Sequence, residues 1–237
     1  MLATSVWRRE ALELSGRKAH FALEAAVPLA LALPLLGGPA LVPQAALYTT
    51  LIVTTTVLHS GARAHYLIRS GLAQRMARTP ASPYKLFLST VLVRAVIALL
   101  RLLPLLLALE WRYQAPPHLW LALLALAAPA MVASELTGGL AGSLARSAGE
   151  VWLYSLVLAL PALFLSGVFG PETEPLGIQY VIAQILPFTF LHRAVLQLVR
   201  PFPGPIPGTS IGPAMWAAVG WVGISLAFLM GRLERDR

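Results

Sequence analysis

Long apolar runs, each closed by a short polar or proline-rich stretch, recur along this chain without the alternation that a half-buried strand would show. Leu- and Ala-rich runs fall at about 20–36, 44–62, 84–109, 119–144, 150–169 and 213–231. Each is close to the roughly 20 residues a helix needs to cross a roughly 30 Å hydrocarbon layer. A transmembrane β-barrel is disfavoured because these runs are continuously apolar. A seventh run, LGIQYVIAQILPFTFLHRAVLQLV (176–199), is long enough to span as well. Pro187 divides it into pieces of about 11 and 12 residues, each rising only about 17 Å, which predicts a re-entrant hairpin dipping into the outer leaflet. The proline-rich PFPGPIPGTSIGP (201–213) follows as an outer loop. Ahead of the first span, Trp7, Ala11, Leu14 and Phe21 fall near one helical face, with Arg8, Arg9, Glu13 and Arg17 elsewhere. That pattern predicts a helix over 1–19 lying in the membrane interface. Roughly twenty mixed residues before the apolar core, and no small-residue cleavage site, argue against a cleaved signal. The expected fold is an all-α polytopic membrane protein of six transmembrane helices, forming a single domain over 1–237.

Composition supports the same class. Of 237 residues 57% are hydrophobic and 12% charged, which leaves too little polar surface to cover a soluble globule of this size. The absence of cysteine excludes a disulfide framework and thiolate chemistry. The net charge of +8 reports orientation instead of nucleic-acid binding. With the N-terminus inside, 13 of the 18 Lys and Arg residues fall on the cytoplasmic side. Only Arg112, Arg193 and Arg200 lie outside, while Arg94 and Arg101 sit within the third span. Both termini are therefore expected in the cytoplasm, in a cell (plasma or inner) membrane.

The connection between the second and third spans, RSGLAQRMARTPASPYKLF (69–87), contains a short helix of its own. Ser70 can cap it, Pro80 ends it by disfavouring helical geometry at Thr79, and Ser82-Pro83 opens the next span. Leu72 and Met76 share one face of this helix, and Arg75 and Arg78 another. A helix of one to two turns is not stable alone, so it must pack on something. Anionic lipid head groups are one answer. A cytoplasmic partner that takes Leu72 and Met76 into a cleft and meets the arginines with acidic groups is the other.

Here the chain resembles the type-2 permease subunits of ABC-type exporters. In that family the loop between the second and third spans carries a coupling helix running glycine, apolar residues, then Thr-Pro-x-Ser-Pro. Gly71, Leu72, Met76, Thr79, Pro80, Ser82 and Pro83 match that run in order. A second match lies in LFLSGVFGPETEPLGIQYVIAQILPFTFLHRAV (163–195), similar to the family's fifth span ending in Ser-Gly-x-Phe-x-Pro and to the Leu-Pro-x-Thr break that follows. Those residues are Ser166, Gly167, Phe169, Pro171, Leu186, Pro187 and Thr189. Two positions depart from the family: Arg69 stands where an acidic residue is usual before the glycine, and Ser89-Thr90 where Gly-Lys is frequent. The resemblance implies ATPase coupling through Gly71, Leu72, Arg75, Met76, Arg78, Thr79 and Pro80. It also implies an outer gate region at Ser166, Gly167, Phe169, Pro187 and Thr189. Two cytoplasmic ABC ATPase subunits that bind ATP and Mg, a second permease chain, identical or homologous, and membrane lipid are the implied partners, with no nucleic acid. A membrane scaffold that recruits a cytoplasmic partner without transport is the alternative.

Within the chain itself little chemistry is expected. There is one aspartate, Asp236, and no G-x-x-x-x-G-K-[ST] stretch, so ATP hydrolysis must come from another subunit. The histidines at 20, 59, 65, 118 and 192 are scattered, which suits interfacial anchoring better than metal binding. Arg94 and Arg101 share one face of the third span and are costly in lipid unless paired or hydrated. Counted from Leu86 as the membrane edge, Arg94 lies about 12 Å deep, while Glu24 and Glu135 lie about 6 Å from the same inner face. Arg94 could bridge to Glu135 or Glu24, line a substrate path, or snorkel. Arg101 could snorkel outward or meet Glu172 or Glu174. Gly138 and Gly142 are spaced for close helix approach, or are ordinary glycines of a membrane helix. Trp111, Tyr113, Trp120, Trp152, Trp216 and Trp221 fall near the predicted interfaces.

Overall fold

The computed structural model describes residues 7, 8, 10, 12, 16, 18–37, 42–71, 83–114, 116–169, 178–199, 216, 220 and 223. Five long helices, α1 (Lys18–Leu36), α2 (Val42–Arg69), α3 (Pro83–Tyr113), α4 (Pro117–Leu144) and α5 (Ala148–Leu165), are followed by two short ones, α6 (Ile178–Ile185) and α7 (Pro187–Val199). No strand occurs among the described residues. Leu88–Tyr113, Pro117–Leu144 and Ala148–Leu165 are long and apolar enough to cross a membrane by length and composition. Of the expected sixth span only positions 216, 220 and 223 are described, and they are helical.

Prolines and capping side chains set the boundaries. Pro83, Pro117 and Pro187 open α3, α4 and α7, where a missing N–H costs nothing and a fixed φ suits the first turn. Ser147 caps α5 by accepting from the Glu150 N–H at 3.2 Å, and Glu150 Oε2 in turn accepts from the Arg146 N–H at 2.7 Å. α2 and α3 both outrun the predicted spans. Arg63 and Arg69, counted as loop charges, are therefore helical residues of α2. The 31 residues of α3 rise about 46 Å, well beyond a roughly 30 Å hydrocarbon layer.

Polar contacts at the helix ends define the bundle's direction. Arg112 Nε donates to the Leu36 carbonyl at 2.9 Å, Tyr113 Oη donates to Gln44 Oε1 at 3.0 Å, and Gln44 Nε2 donates to the Leu35 carbonyl at 3.2 Å. At the opposite end Arg69 donates to the Arg146 carbonyl, and His65 Nδ1 lies 3.2 Å from the Ala145 carbonyl. α2 and α4 thus run from the Leu36 end to the Arg69 end, while α1, α3 and α5 run the other way. One core joins α1 to α5 with α7, and Tyr48, Leu105, Leu126, Met131, Phe188 and Leu191 are buried within it. Leu23, Leu31, Leu107, Leu121 and Leu153 face outward, as a lipid-facing surface requires.

α2 and α4 make their closest approach at glycines. A Cβ added at Gly138 would strike the Val57 carbonyl and come within 2.6 Å of the Ser60 Cβ. One added at Gly142 would strike the Gly61 carbonyl and sit 2.8 Å from the Ala64 Cβ. The Gly138/Gly142 pair is therefore a packing face, with backbone against backbone. Thr49, Thr54, Thr55, Thr56, Ser134 and Thr137 return their hydroxyl hydrogens to carbonyls one turn back, which lets them lie in an apolar bundle.

Candidate functional site

Both motifs that carry the family resemblance begin at a helix stop. Gly71 follows α2 in the left-handed region, at φ +69°, and its N–H donates to the Ile68 carbonyl at 3.1 Å. Gly167 follows α5 at φ +77°, donating to the Phe164 carbonyl at 3.1 Å, while the Val168 N–H donates to the Leu163 carbonyl at 3.2 Å. That pair of bonds, with Val168 and Leu163 buried in one core, is a Schellman stop. Ser166 Oγ closes the same turn by donating to the Ala162 carbonyl at 2.7 Å. An L side chain in either left-handed position costs about 1–2 kcal/mol. Because α2 and α5 run in opposite directions, Gly71 and Gly167 lie at opposite ends of the bundle. Leu72, Arg75, Met76, Arg78, Thr79 and Pro80 lie outside the described residues, as do Pro171, Glu172 and Glu174.

Beyond Gly167, Phe169 is half exposed, and it lines an open apolar groove with Leu160, Pro161, Phe164 and Leu165. The 176–199 run is helical on both sides of Leu186, with Pro187 at the first position of α7 and the Thr189 N–H donating to the Leu186 carbonyl at 3.2 Å. Pro187, Phe188, Thr189, Phe190 and Leu191 are all buried, so α7 is a core element and not a surface loop. His192 Nδ1 lies 3.2 Å from Thr49 Oγ1 of α2.

The intramembrane charges come together, and Glu24 meets both Arg101 and His59. Glu24 Oε2 pairs with the Arg101 guanidinium, 2.9 Å from its Nε, and Glu24 Oε1 lies 3.3 Å from His59 Nδ1. Arg101 also stacks on the Phe21 ring, 5.7 Å from its centroid. The expectation that Arg101 would snorkel or turn to Glu172 or Glu174 is thus corrected. The error came from depth: α1 and α3 are parallel but staggered, with Leu36 level with Arg112 and Glu24 level with Arg101. α3 overshoots the layer, so Leu86 is no common membrane edge and Glu24 sits deeper than counted. Arg94 and Glu135 do line the same cleft.

Glu10 and Arg63 complete the cluster, joined at 2.8 Å, with Glu10 buried although it belongs to the expected interfacial segment. Three carboxylates therefore meet three guanidiniums and His59, and Ser60 Oγ donates to the Glu135 carbonyl at 2.8 Å beside them. The cleft between these groups leaves only about 10 Å³ for a water centre, close to what one water needs. Sequence reasoning missed Glu10, His59 and Arg63. The signal was available in α2, where Thr49, Thr56, Ser60 and Arg63 recur at helical spacing as an inward polar stripe. No group of three or more metal-ligating side chains occurs among the described residues.

The family model of the ABC-2 type transporter matches residues 4–199, from the N-terminal segment through the last turn of α7. The chain belongs to the ABC-2 type transporter family. No curated protein and no solved structure matches it. As an ABC-2 membrane domain it is a membrane-embedded permease, a transport component and not itself a catalyst. Permeases of the ABC-2 family generally work with a cytoplasmic ATPase and often dimerise.

Proposed function

We propose that this chain is the permease of an ATP-driven exporter, moving a hydrophobic or amphipathic substrate such as a drug, lipid or glycan out of the cytoplasm. Two cytoplasmic ATPases bind ATP and Mg and dock on the loop after Gly71, where Leu72 and Met76 enter a cleft and Arg75 and Arg78 meet acidic groups. A second permease chain, identical or homologous, completes the route, with six spans per chain and both termini in the cytoplasm. The α6–α7 pair serves as the outer gate region, and closure of the ATPases biases the bundle between two states.

The observation that carries this reading is the family match over 4–199. The position of Gly71 supports it, since α2 stops there in a left-handed backbone turn at the Arg69 end of the bundle. The cleft lined by Glu10, Arg63, Arg94, Arg101 and Glu135 has room for about one water, which favours a bundle-steadying role for these charges over a substrate path. The test is co-expression with a candidate ATPase and measurement of ATP hydrolysis in lipid. Leu72→Asp or Met76→Asp should leave the complex assembled and abolish the permease's effect on hydrolysis. Unchanged hydrolysis in both variants would favour the scaffold reading.

A further inference from the structure

α2 differs from the other long helices in its backbone. Pro28 and Pro34 interrupt α1, Pro104 α3, Pro129 α4 and Pro161 α5. α2 carries only Pro43, in its first turn. An interior proline deletes one rung of the hydrogen-bond ladder and admits a kink there. α2 has no such break between Gln44 and Arg69, so it can shift as one piece. Its far end at Gly71 and the buried Thr49 are about 33 Å apart along the axis.

Thr49 is where α2 meets the hairpin through a directional contact. Its hydroxyl hydrogen goes to the Ala45 carbonyl at 2.8 Å, so the oxygen presents lone pairs to His192 Nδ1 at 3.2 Å. With that hydrogen committed to Ala45, the Thr49 oxygen is left to accept, and the His192 tautomer that carries its proton on Nδ1 completes the bond. Around it α7 meets the core through Phe188, Leu191, Val195 and Leu198, whose apolar contacts have no preferred direction along the helix. A hydrogen bond in this low-dielectric setting fixes the register that those contacts leave free.

We propose that His192 is a positioning residue of the transport cycle, tying α7 to α2 so that a displacement entering α2 at Gly71 reaches the α6–α7 pair. The inference rests on the reading of the Gly71 loop as the ATPase contact. The lack of native cysteine allows single spin labels at Tyr66→Cys, exposed near the Gly71 end, and at Ile185→Cys, exposed on α6. The labelled permease, assembled with its ATPase in lipid nanodiscs, is compared with and without vanadate-trapped nucleotide. In the otherwise native chain both labels should respond. In His192→Phe, which keeps a ring but has no donor, the Tyr66 label should respond as before and the Ile185 response should be lost. His192→Gln, which retains an N–H, should restore it. A full Ile185 response in His192→Phe overturns the proposal, and so does equal loss at both labels, the mark of a purely structural residue. A native chain in which only the Tyr66 label responds also overturns it and leaves the docking reading standing. A native chain in which neither responds removes the docking reading as well.

Discussion

Glu24 shows how one carboxylate can be held inside an apolar bundle: Arg101 and His59 approach its two oxygens from different helices, and the Phe21 ring covers the guanidinium. Such a pair stabilises little in itself, but breaking it leaves a buried charge alone, at a cost on the order of 3–5 kcal/mol. Arg101→Met should therefore lower the unfolding midpoint sharply in detergent or lipid. The double variant Glu24→Met with Arg101→Met should recover most of the loss, and a double variant as unstable as the single would contradict the pairing. The sequence showed that Arg94, Arg101, Glu24 and Glu135 needed partners, because charge in lipid is costly wherever it occurs. It did not show which partner each would take. That depends on the stagger between α1 and α3, a property of two packed surfaces that neither helix encodes alone.

At the scale of elements, the contact between α2 and α4 is set by what Gly138 and Gly142 lack. Gly138→Val or Gly142→Val should abolish folded yield, because the atoms in the way belong to the α2 backbone and cannot rotate aside. Gly139→Ala is the internal control, since nothing lies within 4 Å of a Cβ there, and size-exclusion profiles of the three variants would check the contrast. The glycine spacing was legible in the sequence, but its partner was not: Gly61 and the neighbouring turn of α2 carry no motif of their own. The helix stops were not legible. Gly167 fell inside the predicted span 150–169 and Gly71 beyond the predicted end of the second span at 62, although both stand in left-handed backbone that few other residues adopt. The extension of α2 to Arg69 was hidden because polar residues near a predicted membrane edge read as loop, although here Arg63 pairs with Glu10 and His65 meets the Ala145 carbonyl at the α4–α5 connection.

For the whole molecule, the all-helical class seen in the described residues followed from apolar run length, because a bilayer's thickness sets how long an apolar helix must be. Orientation can be tested with the same cysteine-free background. Maleimide should label Ser70→Cys and Gly149→Cys only from the cytoplasmic side, and Trp111→Cys and His118→Cys only from the opposite one. Labelling of all four from one side would contradict the proposed topology. The Glu24 pairing also bears on how the chain is made. α1 leaves the ribosome before Arg101 and His59, so during synthesis the newborn carboxylate enters the bilayer with neither partner, a burden of about 2.5–3.5 kcal/mol for a charge at mid-membrane. Insertion of the first helix should therefore be provisional until the third has emerged. A nascent chain stopped after Leu36 should integrate poorly, and Glu24→Gln should repair it, as read by glycosylation reporters in a translocon assay.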